Sequence, residues 1–172
     1  YLKIIPEVNM EKDKLIEKIQ DTIDAENTMS FCFSHLAGLV KNGRIRKQFY
    51  SLSGSAKANK DSLMRILERE EVKDFSLENR CKFCKIKTES FSLIGAINLG
   101  LEVTGAAIKF YKDLLELSSN LEDKRLFGKL LKEKTGQSNF LKKEKRFERE
   151  DRDKTNFIDY YCMPEVISKI WK

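Results

Sequence analysis

The chain matches itself at an offset of 78 residues. Ile19 pairs with Ile97, Ile23 with Leu101, Phe33 with Tyr111 and Leu36 with Leu114. The match continues without a gap through Asn42 and Asn120, Phe49 and Phe127, Leu52 and Leu130, and Leu63 and Leu141. A repeat of this length is one supersecondary unit that buries its apolar face against its own copy. Within the first copy, Ile16, Ile19, Ile23, Glu26, Ser30, Phe33, Ala37 and Val40 step by threes and fours. Phe49, Leu52, Ala56, Asn59, Leu63 and Ile66 do the same after the turn at Lys41-Asn42-Gly43. Each run is the seam of an amphipathic helix. Gly43 is expected at a left-handed position closing the first helix. Two short-looped hairpins joined by a longer charged connection predict an all-α, antiparallel four-helix bundle. The bundle is expected over residues 11–150. Residues 151–172 read as a tail with a short helix after Pro164, carrying Phe157, Ile158, Tyr160, Tyr161, Val166, Ile167, Ile170 and Trp171.

Composition agrees with this class. Two prolines and eight glycines in 172 residues are too few for the turns of a β-sandwich. The net charge of +6 comes from 33 basic and 27 acidic residues, a mixed surface rather than a polycation. Nucleic acid is therefore not an expected partner, although Arg44, Arg46, Lys47 and the segment 142–146 are basic, because Glu and Asp are interspersed. The most apolar stretch, residues 93–108, is interrupted by Asn98, Glu102 and Thr104 and is short for a membrane span. It reads as a core helix, and no membrane is expected. No signal-peptide pattern is visible, and four cysteines make no disulfide framework in a chain this size. A reducing, cytoplasmic setting is the expectation.

The seams themselves are not wholly apolar. Glu26, Asn59, Thr104, Lys134 and Gln137 fall on them at comparable heights, since Glu26 precedes Phe33 by the spacing at which Thr104 precedes Tyr111. One polar layer should cross the middle of the bundle, and buried polar groups require partners. The simplest arrangement pairs Glu26 with Lys134 and surrounds them with hydrogen bonds from Thr104, Asn59 and Gln137. The competing arrangement sends the lysine stem outward to solvent.

The segments Glu26…Cys32-Phe33-Ser34-His35-Leu36-Ala37 with Phe49-x-x-Leu52, and Ala96-Ile97…Phe110-Tyr111-x-x-Leu114 with Phe127-x-x-Leu130, resemble the rubrerythrin-like branch of the ferritin-like superfamily. The resemblance covers roughly residues 15–145 and implies a ferritin-like bundle. In that family one helix of each pair gives a Glu, and the other a Glu-x-x-His, to a di-iron centre. Carried onto this chain, the six positions hold Glu26, Ala56, Asn59, Thr104, Lys134 and Gln137, of which only Glu26 is a suitable ligand. An ammonium group in such a set repels a cation. The implied reading is a degenerate di-iron layer with no cofactor expected.

Cys81-x-x-Cys84 is a candidate half-site for zinc or iron, with Cys162 as a third thiolate. Cys32 reads as a packed helix residue. No Walker, Ser-His-Asp or glycine-rich nucleotide motif is present. The leading reading is a non-catalytic binding or assembly module. Small residues on the third helix (Gly95, Ala96, Gly100, Gly105, Ala106, Ala107) let another helix approach closely; the partner helix of its own bundle accounts for some of them and a homodimer contact for the rest, and a further protein partner is open. The alternative is a rubrerythrin-like metal-binding oxidoreductase with an unusual site, drawing on carboxylates such as Asp24 or Glu102.

Overall fold

The computed structural model of the chain describes residues 5–72, 75 and 93–150, with side chains from Met10 to Glu148. Four helices account for nearly all of them: α1 (Ile5–Leu39), α2 (Gly43–Arg69), α3 (Leu93–Leu117) and α4 (Leu121–Glu150). α1 begins well before the seam that starts at Ile16. The tail, residues 151–172, lies outside the described residues.

The internal repeat reappears in the backbone hydrogen bonds of the two hairpin turns. Val40 N donates to Leu36 O, and Ser118 N, at the equivalent position, donates to Leu114 O. Asn42 and Asn120 are the corresponding N-cap residues. Asn42 Oδ1 accepts from the amides of Arg44 and Ile45. Asn120 Oδ1 accepts from those of Glu122 and Asp123. An asparagine in this role satisfies amides that the first helical turn leaves without partners. Gly43 therefore does not close α1 in a left-handed conformation. It opens α2, and no described glycine has a positive φ. The left-handed position falls instead on Glu71, with φ of 58°, where the amide of Val72 reaches back to Leu67 O and ends α2.

Pairings between the helices fix their directions. Ser30 meets Ser53, and Lys12 meets Glu70, so α1 and α2 are antiparallel. Arg44 meets Glu144 and Arg69 meets Asp123, so α2 and α4 are antiparallel as well. Phe33 packs beside Gly100 while Lys18 pairs with Asp113, which sets α1 antiparallel to α3. Each helix thus runs opposite to both neighbours, and α2 ends at the opposite end of the bundle from the start of α3.

Two apolar clusters fill the ends. One gathers Phe33, Leu36, Phe49, Leu52, Ile97 and Leu141. The other gathers Tyr111, Leu114, Phe127, Leu130, Ile19 and Leu63. These two sets are the same positions exchanged between the copies, as a pseudo-two-fold packing of one hairpin on the other requires. Gly100 lies where the helices crowd, since a Cβ there would approach both Phe33 and Leu141 at 3.2 Å. α3 is long and apolar enough to cross a membrane by length and composition, and half of its apolar window is buried within the bundle.

Candidate functional site

The layer between the two clusters takes one polar side chain from each helix: Glu26 from α1, Asn59 from α2, Tyr111 from α3 and Lys134 from α4. All four are buried, and Glu26 and Lys134 are 0% exposed. Lys134 Nζ donates to Glu26 Oε2 at 2.8 Å. Tyr111 Oη donates to Glu26 Oε1 at 2.6 Å, and Asn59 Nδ2 reaches the same oxygen at 3.4 Å. The carboxylate therefore collects three donors from three other helices.

A second carboxylate adjoins the first. Glu133 Oε1 accepts from Gln137 Nε2 at 3.0 Å, from Asn59 Nδ2 at 3.3 Å and from the Ser55 hydroxyl. Gln137 Nε2 also donates to Ser55 Oγ at 2.8 Å. Asn59 thus links the buried pair to a half-buried network between α2 and α4.

Burial dominates the electrostatics. Loss of water pushes the Glu26 carboxyl above its ordinary range, and Lys134, Tyr111 and Asn59 oppose that rise. Tyr111 is driven well above the usual phenol value by burial and by the neighbouring Glu26 charge. A proton on Tyr111 is thereby held where it serves as a hydrogen-bond donor.

The expected pair of Glu26 with Lys134 forms, and Asn59 joins it. The remaining layer residues behave differently from expectation. Thr104 is buried but turns its hydroxyl back to Gly100 O at 2.6 Å, in its own helix, because a threonine hydroxyl inside a helix reaches the carbonyl four residues back. Gln137 joins Glu133 and Ser55 and not the pair. Ala56 is a core residue. Tyr111, read from sequence as a seam aromatic, is the missed member. Its signal is a hydroxyl at a core position where the other copy has Phe33, since a buried tyrosine oxygen needs a partner. Glu133, off the seam and equivalent to Ser55, carried no such signal.

The donor set does not fit a di-iron centre. Of the six positions carried over by the resemblance, Glu26 alone carries a carboxylate, and its oxygens are engaged by an ammonium, a phenol and an amide. Among the described residues no three His, Cys, Asp or Glu side chains come together as a metal site. His35 and Glu102 are exposed. Cys32 is buried in the core. Cys81, Cys84 and Cys162 lie outside the described residues. What the layer can do is hold four helices in one register, because sliding any helix by a turn would strand a buried charge or donor. Searches of protein-family models, curated proteins and solved structures find no match to this chain.

Proposed function

We propose that this chain is a ferritin-like bundle in which a buried ion pair stands where the superfamily holds its metals, and that it works as a non-catalytic binding or assembly module. The observation carrying this reading is the 2.8 Å contact between fully buried Lys134 and Glu26. The helix directions support the ferritin-like part, since two antiparallel hairpins joined by a connection between opposite ends are its topology. In this reading the chain acts in the cytoplasm through a homodimer or another protein partner. The outer side of α3 supplies room for close approach, since a Cβ built on Gly105 meets nothing within 4 Å.

Metal analysis of protein purified without chelators, followed by titration with ferrous iron, tests the reading. The expected result is less than about a tenth of an equivalent bound at the helix layer, given the repulsion from Lys134. Running the same assay on Cys81→Ser/Cys84→Ser separates thiolate binding from binding in the bundle. Stoichiometric iron that survives in this variant and disappears in Glu26→Gln would overturn the proposal and favour the oxidoreductase.

A further inference from the structure

Two basic segments that are far apart in the chain meet at one end of the bundle. The α1–α2 turn brings Lys41, the first turns of α2 bring Arg44, Arg46 and Lys47, and the last turns of α4 bring Lys142, Lys143, Lys145 and Arg146. Seven of these eight are exposed, with Lys145 partly so. Residues 41–47 hold no acidic residue, and the last turns of α4 hold three, Glu144, Glu148 and Glu150. Glu144 is turned inward, with its side chain 3% exposed, and takes a two-pronged hydrogen bond from Arg44 at 2.7 and 2.6 Å. Glu144, the acidic residue inside the basic run 142–146, is therefore withdrawn from the surface and paired with Arg44, while Glu148 stays partly exposed within reach of the Arg44 charge. What remains outward is mainly cationic.

The Arg44–Glu144 contact also places these turns of α2 and α4 side by side. Arg44 and Lys47 lie one turn apart on α2, and Lys143 and Phe147 lie one turn apart on α4. Phe147 is 51% exposed, and Lys143 Nζ stands 5.8 Å from its ring centre. A half-exposed aromatic ring costs free energy in water unless something covers it. Cations spaced along two adjacent helices, with a half-exposed ring beside Lys143 on one of them, match a chain of phosphates carrying unstacked bases.

We infer that the α2–α4 end of the bundle is a sequence-independent binding surface for single-stranded nucleic acid, with Lys47, Lys143 and neighbouring cations on the phosphates and Phe147 stacked on a base. The buried layer takes no part. The surface therefore stands or falls independently of the proposed loss of the metal site.

Fluorescence anisotropy with a labelled oligouridine of about 20 nucleotides, longer than the usual site on one module, is the assay. With about four phosphates contacted, affinity should fall by about 50-fold between roughly 50 and 200 mM salt. Lys47→Glu/Lys143→Glu should weaken binding by about tenfold or more. Phe147→Ala should weaken it by about fivefold or more with little change in salt slope. Lys109→Glu/Lys129→Glu makes the same change of net charge at exposed positions elsewhere on α3 and α4, and should bind like the parent. Thermal unfolding confirms that each variant is folded. Absence of binding at low salt would overturn the inference. So would an equal loss in the Lys109/Lys129 variant, or binding by phosphatidylserine vesicles but not by the oligonucleotide.

Discussion

Phe33 and Tyr111 stand at equivalent places in the two hairpins, yet they do different work. Phe33 packs against Phe49, with ring centres 5.9 Å apart, inside an apolar cluster. Tyr111 lies in the opposite cluster and extends a hydroxyl to Glu26. The same contrast runs through the central layer. Glu26 is matched by Thr104, Ala56 by Lys134, Asn59 by Gln137 and Ser55 by Glu133. The ends of the bundle keep the repeat, while the middle departs from it. One ion pair uses two of the facing positions, and their equivalents, Ala56 and Thr104, are small and uncharged. A symmetric layer would bury two carboxylates and two ammonium groups, and desolvation of each ion costs several kcal/mol. A single pair with neutral counterparts limits that cost and still gives the core one register.

Breaking the pair from one side should produce the largest effect. Lys134→Met leaves Glu26 buried without its cation, and about 3–5 kcal/mol of stability should be lost in urea unfolding near neutral pH. That loss should depend on pH in a definite direction. Glu26 already has a folded pKa above its ordinary value. The native state then keeps a proton to higher pH than the unfolded chain does. The stability contributed by this group is complete below about pH 4.5 and is lost as pH rises through the folded pKa. Removing Lys134 takes away an interaction that lowers that pKa, so the window extends upward. The deficit of Lys134→Met should therefore be smaller near pH 5 than near pH 8, because the carboxyl can be buried neutral. A deficit that is flat across this range would mean that Glu26 reaches water when Lys134 is gone. Glu26→Met/Lys134→Met/Tyr111→Phe, which removes both charges and the phenol donor, should recover most of the lost stability. It tests whether the pair serves register more than strength.

A smaller effect is expected from making the two hairpins more alike. Tyr111→Phe installs the residue of the first copy and removes one hydrogen bond to a buried carboxylate. About 2 kcal/mol should be lost, as for other hydrogen bonds to charged acceptors. The reciprocal change, Phe33→Tyr, should also destabilise, because the layer offers a second hydroxyl no free carboxylate oxygen. If both changes were neutral, the asymmetry of the layer would carry no energetic weight.

The pattern of these residues explains what could be read from sequence. Helix seams, the repeat and the height of the polar layer follow from spacing, and spacing is preserved when side chains pack. The Glu26–Lys134 contact was legible because two long, oppositely charged side chains at one level have few other ways to be buried. Thr104 and Gln137 were misplaced because short or neutral polar groups have several acceptors in reach, and geometry alone selects among them. Gly43 was misread because Asn42 beside it caps the next helix. The equivalent Asn120, which has Leu121 and no glycine after it, held the clue that asparagine and not glycine is the working residue.

That clue gives the finest test of the repeat. Asn42→Ala and Asn120→Ala each remove a side-chain acceptor for two first-turn amides, and each should cost about 1 kcal/mol in urea unfolding. The caps sit at opposite ends of the bundle, so the double variant should lose the sum of the two within about 0.5 kcal/mol. The costs should not be identical. α4 carries Glu122 and Asp123 in its first turn, where negative charge interacts favourably with the helix dipole, whereas α2 has no acidic residue there and begins with Arg44 and Arg46. α4 therefore keeps part of its N-terminal stabilisation when its asparagine is lost, and α2 does not. Asn42→Ala should be the more costly change by a few tenths of a kcal/mol. The reverse order would show that the Arg69–Asp123 pair depends on the Asn120 cap to hold Asp123 in place, because Asp123 accepts from Arg69 at 2.9 and 2.7 Å while its own amide donates to Asn120.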